Sequence, residues 1–108
     1  VKVVIINNPN NPTGAIYSRE TLEKIAEVLK EAEKEYGHPI YIITDEPYRE
    51  LVYVDKEIVF IPDLYDNTII AYSWSKSLSI PGDRLGYLAV SPKSDNVEEF
   101  MATATVAN

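Results

Sequence analysis

Residues Thr68–Val90 read TIIAYSWSKSLSIPGDRLGYLAV. Two apolar runs, Thr68–Tyr72 and Leu85–Val90, flank a polar stretch holding one lysine, Lys76. Each run is short and rich in strand-forming residues, so each reads as a buried strand. A parallel pair needs a crossover of roughly a dozen residues or more, usually helical. The link here is short and broken by Ile80-Pro81-Gly82, so Leu85–Val90 is predicted to run antiparallel to Thr68–Tyr72.

Upstream, Val3–Ile6 and Ile40–Thr44 are further β-branched apolar runs, and each reads as a buried strand. Between them Leu22, Ile25, Ala26, Leu29, Ala32 and Tyr36 recur at helical spacing, opposite a face of Glu and Lys. Ser18 is the predicted N-cap, Gly37 the C-cap, and Pro39 the stop. His38, the only histidine, reads as a surface residue at that helix end. Val52–Val54 and Ile58–Ile61 are candidate short strands, and Pro62–Asp66 a turn or short helix. Ser94 or Asp95 is expected to cap a last helix containing Val97, Phe100 and Met101. Strand, helix, strand, loop, strand is an α/β pattern, so the fold class is α/β: a mostly parallel sheet, antiparallel only at about 85–90, with helices packed on it.

A chain of 108 residues, 45% of them hydrophobic, is one globular unit by size and composition. No apolar run approaches the ~20 residues of a membrane span, and no signal peptide is recognisable. Cysteine is absent, which excludes disulfides and thiolate metal sites. Together these fit a cytoplasmic protein. The net charge of −7 argues against nucleic acid or an anionic membrane as partner. Yet Asn67–Pro92 carries Lys76, Asp83 and Arg84 and sums to +1, leaving −8 for the rest. An anion can be held there while the remaining surface keeps the chain soluble. Val1 already lies inside an apolar run, so the chain reads as a piece of a larger protein.

Ligands of open α/β sheets sit outside the carboxyl ends of the parallel strands. At those ends the first strand gives Asn7, Asn8, Asn10 and Asn11, the second Asp45 and Tyr48, the third Ser73, Ser75 and Lys76. The antiparallel return brings Arg84 to the same rim. Arginine and hydroxyls suit a phosphate. A lysine partly desolvated beside another cation suits Schiff-base chemistry, and a carboxylate holds a ring nitrogen protonated. Pyridoxal 5′-phosphate presents an aldehyde, a phosphate and a pyridine nitrogen, and the constellation matches all three. Asn7, Asn8 and Asn10 read as turn-shaping residues, and Trp74, by strand alternation, as packing on the face opposite Ser73 and Ser75. A nucleotide-binding reading fits the α/β pattern but lacks G-x-G-x-x-G or P-loop glycines.

Three motifs carry a family resemblance: NPNNPTG (Asn8–Gly14), TDEPYREL (Thr44–Leu51) and SWSKSLSIPGDRLGY (Ser73–Tyr87). In these, and in this order, the sequence resembles the class I/II aminotransferases, fold type I enzymes that use pyridoxal phosphate. The resemblance covers essentially the whole chain. It implies that residues 1–108 are a central segment of the cofactor-binding large domain. It implies Lys76 as the amine of the internal aldimine and the proton shuttle, and Asp45 as partner of the pyridine nitrogen. Tyr48, with Asn11 beside it, would serve the phenolate oxygen, and Ser73, Arg84 and Ser75 the phosphate. Substrates would be an amino acid and a 2-oxo acid, and the full-length enzyme a homodimer. The family's upstream phosphate-binding turn, its ring-stacking aromatic and its downstream carboxylate-gripping arginine have no counterpart among these residues, so the isolated chain is expected to be inactive. Two alternatives stay open: a lyase of the same fold, and a non-catalytic folding or association module.

Overall fold

The computed structural model describes residues 1–107; Asn108 lies outside the described residues. Four strands form one sheet in the order β1 (Val3–Asn7), β2 (Tyr41–Asp45), β3 (Thr68–Ser73) and β4 (Gly86–Val90). β1–β2 and β2–β3 pair parallel, and β3–β4 antiparallel. The predicted mixed α/β sheet is therefore the observed one. At Gly86 a Cβ would stand 2.5 Å from the Tyr72 carbonyl oxygen, so the first pair of the β3–β4 ladder requires glycine there.

The helix α1 (Arg19–Tyr36) begins where Ser18 accepts from the Thr21 amide and ends at Gly37, whose φ of 69° is the left-handed cap. Leu22, Ala26 and Leu29 are buried against Ile6 and Ile42 of the sheet. Ile40, Val59, Ile61 and Tyr65 complete that core. Tyr36 departs from the predicted stripe. It is 64% exposed in the last turn of α1, where it stacks on His38 at 6.5 Å. The other sheet face is covered at Ile69 but open at Val3, Ile5 and Leu88, which alternate with the residues facing α1. No helix among the described residues is long and apolar enough to cross a membrane.

Three local expectations fail for identifiable reasons. Val52–Val54 and Ile58–Ile61 form no strand. Instead Val59 and Ile61 enter the core from chain outside the sheet ladder, and Ile61–Asp63 is a 3₁₀ turn started by Pro62. The helix α3 (Val97–Val106) is preceded by Asn96, which makes no side-chain cap bond. Ser94 and the Asp95 amide are engaged with Asn67 instead. Finally, Trp74 is not on a strand. The chain turns at Ser73 into the four-residue helix α2 (Trp74–Ser77), so alternation does not separate Trp74 from Ser75. Trp74 does pack, against Tyr72 and Tyr87 at 5.6 and 5.5 Å between ring centroids.

Candidate functional site

The parallel strands end side by side, with Asn7 paired to Asp45 and Asp45 to Ala71. Register places Asn7, Asp45 and Ser73 on the open face of the sheet. The Asn7 side-chain amide donates to the Asp45 carboxylate at 3.1 Å and to the Asp45 carbonyl at 3.1 Å. Asn7 thus orients the carboxylate, a role that reading it as a turn residue had missed. Its position, last in a strand beside the strand that ends in Asp45, was the available signal. Burial pushes the Asp45 carboxyl above its ordinary value; the Asn7 bond opposes this and the neighbouring Glu46 charge adds to it. Among the described residues no salt bridge includes Asp45.

Beyond Asp45 a turn presents Tyr48, whose hydroxyl accepts from the Asn11 side-chain amide at 2.7 Å. Asn11 is held by its own backbone amide, which donates to Asn7 Oδ1 at 2.7 Å. Asn10 binds the Thr13 hydroxyl at 2.6 Å and so shapes the loop as expected. A groove of about 410 Å³ opens beside the pair, lined by Asn11, Tyr48, Ile16, Leu51 and Tyr53 among others. Lys76 Nζ lies over the Tyr48 ring, 5.8 Å from its centroid, which brings the third strand's lysine to the second strand's phenol. The expected partial desolvation of Lys76 is not found: the residue is exposed, because α2 carries it out beyond the sheet.

Ser73 caps α2, accepting from the Ser75 amide at 3.1 Å and donating to the Ser75 hydroxyl at 2.7 Å. Arg84 reaches the rim through its backbone, since the adjoining Leu85 carbonyl accepts from the Trp74 amide at 3.2 Å. Its guanidinium, however, donates to the Pro81 carbonyl at 3.1 Å and is not joined to Ser73 or Ser75. Ser79 and Arg84 both hold positive φ, 56° and 52°, on either side of the turn that follows Lys76. Left-handed backbone at non-glycine residues concentrates at sites where geometry is imposed by function.

The rim therefore joins an amine, a phenol–amide pair, an amide-oriented carboxylate and a hydroxyl pair. The family model for "Aminotransferase class I and II" matches residues 1–106. The chain belongs to this family. It is 38% identical to a probable aspartate/prephenate aminotransferase of Aquifex aeolicus, over 99% of this chain and 27% of that protein. It is 42% identical to an aspartate aminotransferase of Bacillus subtilis over the same shares. Among solved structures, an aminotransferase from Eubacterium rectale superposes with a TM-score of 0.91 at 50% identity, over 94% of this chain and 25% of that one. The aspartate aminotransferase of Thermus thermophilus with maleate gives 0.77 at 33% identity, over 98% and 25%. The aminotransferase segment thus spans about a quarter of the length of the relatives it matches. Its α/β architecture is part of the fold type I enzyme fold.

Proposed function

We propose that this chain is the central segment of the cofactor-binding large domain of a pyridoxal-phosphate-dependent aminotransferase, with Lys76 as its reactive amine. The observation that carries this is the meeting of Lys76 with the Tyr48–Asn11 pair at the rim where Asn7 aims Asp45. The open apolar face at Val3, Ile5 and Leu88 supports the reading as a segment, since a larger domain would cover it. When bound, the cofactor supplies an aldehyde for condensation with an amine and a pyridinium ring that draws off electron density from a substrate α-carbon.

The residues fit that group. Among the described residues Asp45, half-buried, has one neutral donor and no cation, a setting that disfavours its charge. A protonated ring nitrogen on the open face would restore the carboxylate form. The Tyr48 hydroxyl, already accepting from Asn11, keeps its own proton free to donate to a phenolate oxygen. Ser73 and Ser75 offer two hydroxyls to a phosphate, and Arg84 would join them by leaving the Pro81 carbonyl. Lys76 Nζ would supply the amine that meets the cofactor aldehyde and a base able to carry a proton to and from the substrate α-carbon. The complete enzyme is proposed to be a cytoplasmic homodimer acting on an amino acid and a 2-oxo acid. Aspartate is the substrate to assay first, because the curated relatives include aspartate aminotransferases.

The test is to add pyridoxal phosphate to the chain, reduce with borohydride and map the labelled peptide. The label should fall on Lys76, without turnover by the isolated segment. Labelling spread over surface lysines would overturn the assignment.

A further inference from the structure

One fully buried acid, Glu46, takes no part in the chemistry above. It is 2% exposed and directly follows Asp45. The Glu46 amide donates to the Ala71 carbonyl at 3.0 Å, which carries the sheet ladder one residue past Asp45. Alternation therefore turns Glu46 inward while Asp45 faces outward. On the inner side Thr44 Oγ1 donates to Glu46 Oε1 at 2.8 Å, and Arg49 Nε donates to Glu46 Oε2 at 2.6 Å. The two bonds close two rings. One spans Asp45, between Thr44 and Glu46. The other spans Pro47 and Tyr48, between Glu46 and Arg49, and is doubled by the Arg49 amide bonding to the Glu46 carbonyl at 3.2 Å. Arg49 is fastened in turn: its Nη1 donates to the Ile58 carbonyl at 3.3 Å, and its guanidinium lies over the Phe60 ring at 5.8 Å.

A buried ion pair is weak support for stability, because desolvation offsets the attraction. This pair is not optimised for stability either, since Arg49 Nη2 is buried without a partner among the described residues. What it does supply is geometry, because one carboxylate fixes the residues on both of its sides.

We propose that the Glu46–Arg49 pair is the positioning element of this site, setting the separation and outward aim of Asp45 and Tyr48. The inference rests on the function proposed above for those two residues. Glu46 and Arg49 are positioning residues and touch no reacting atom. Without the pair the turn at Pro47–Tyr48 loses its inner fastening, and Tyr48 moves from its place beside Asn11.

The experiment compares Arg49→Met with the double variant Glu46→Met/Arg49→Leu, which replaces the pair by apolar groups of similar size. In the unloaded ¹⁵N-labelled chain, the Asn11 side-chain amide resonance reports the bond to Tyr48. It should move to its solvent-exposed position in both variants, although the double variant keeps the parent urea midpoint. In the chain loaded at Lys76, the pH midpoint of the visible band should rise by roughly one unit, as the ring oxygen loses its donor. An unchanged Asn11 resonance in the folded double variant would overturn the proposal. So would failure of the double variant to fold, because the pair would then be a stability element. If the unaltered chain forms no band at Lys76, the proposed function fails, while the Asn11 resonance still decides the role of the pair.

Discussion

The two ends of the sheet are both polar and are built on opposite terms. At the end where the parallel strands start, Asn67 joins everything. Its side-chain oxygen accepts from the Asp95 amide at 2.7 Å and the Ser94 hydroxyl at 3.2 Å. Its side-chain nitrogen donates to Glu33 at 2.8 Å and Asp95 at 3.2 Å. The same Glu33 oxygen accepts from the Ile40 amide at 2.8 Å, and the Tyr65 hydroxyl donates to the Ile40 carbonyl at 2.6 Å. At the end where the strands finish, Glu46 is closed inward on Thr44 and Arg49, but Asn7, Asp45 and Ser73 lie on the outward face. Among the described residues Lys76 lies over the Tyr48 ring and joins no salt bridge, and no cation pairs with Asp45. Polar groups that satisfy one another hold a fold together. Polar groups brought together and left with capacity are available for a ligand.

The sharpest way to break this contrast is to strip the closed end. Asn67→Ala leaves the Asp95 amide and the buried Ser94 hydroxyl without their acceptor, and two carboxylates without their shared donor. The chain should lose about 3 kcal/mol of stability, read as a fall in urea midpoint at constant m. Labelling of Lys76 should stay on Lys76 wherever the chain is folded. A loss below about 0.5 kcal/mol, the range of ordinary surface substitutions, would mean that this end is not a structural joint.

The same contrast separates what was legible in the sequence from what was not. The strands, α1 and both of its caps are set by local spacing, and Ser18 and Gly37 act within one turn of their own helix. The antiparallel β4 followed from a short link. The candidate residues at the strand ends followed from strand direction together with the family motifs. The failures come from partners distant in sequence. Ser94 and Asp95 did not cap α3 because Asn67, 27 and 28 residues away, competes for them. Asn7 supports Asp45 only through the pairing of their strands, across 38 residues of sequence. Residues 51–60 carry strand-like runs, but no partner strand reaches them. Their backbone stays outside the ladder while Val59 and Phe60 serve the core and Arg49. Glu46 and Arg49 were the exception: an acid and a base three apart stood in plain view within TDEPYREL. Their burial depended on which way the strand alternated at Asp45.

A smaller effect should come from the Glu33 carboxyl. Burial would raise it, but the Ile40 amide and the Asn67 amide outweigh burial and hold it below its ordinary value. A carboxyl depressed in the native state contributes stability above its unfolded value, and that contribution is lost as pH falls through the native value. Glu33→Gln should therefore cost about 1 kcal/mol at pH 7, discounted for partial exposure. The gap from the parent should narrow in acid. Thermal unfolding of both chains across pH 2–7 reads it, and a gap independent of pH would remove charge from the account of this end.

Asp45 should give the smallest effect and the opposite sign. Its carboxyl is raised in the native state, first by burial. The folded chain then holds this proton to higher pH than the unfolded chain does. Stability falls as pH rises from the ordinary aspartate value through the native one, and remains lower at neutral pH. Asp45→Asn removes that cost and keeps an acceptor for Asn7, so the variant should be more stable than the parent at pH 7 by about 0.5 kcal/mol. The difference should close below the ordinary aspartate value. Adding pyridoxal phosphate should then reverse the order, because a cationic ring nitrogen stabilises the parent carboxylate and finds only a neutral amide in the variant. If Asp45→Asn instead destabilises the unloaded chain at pH 7, the carboxylate is a joint like Glu33, and the open end of the sheet loses its strongest mark of a site held ready for a ligand.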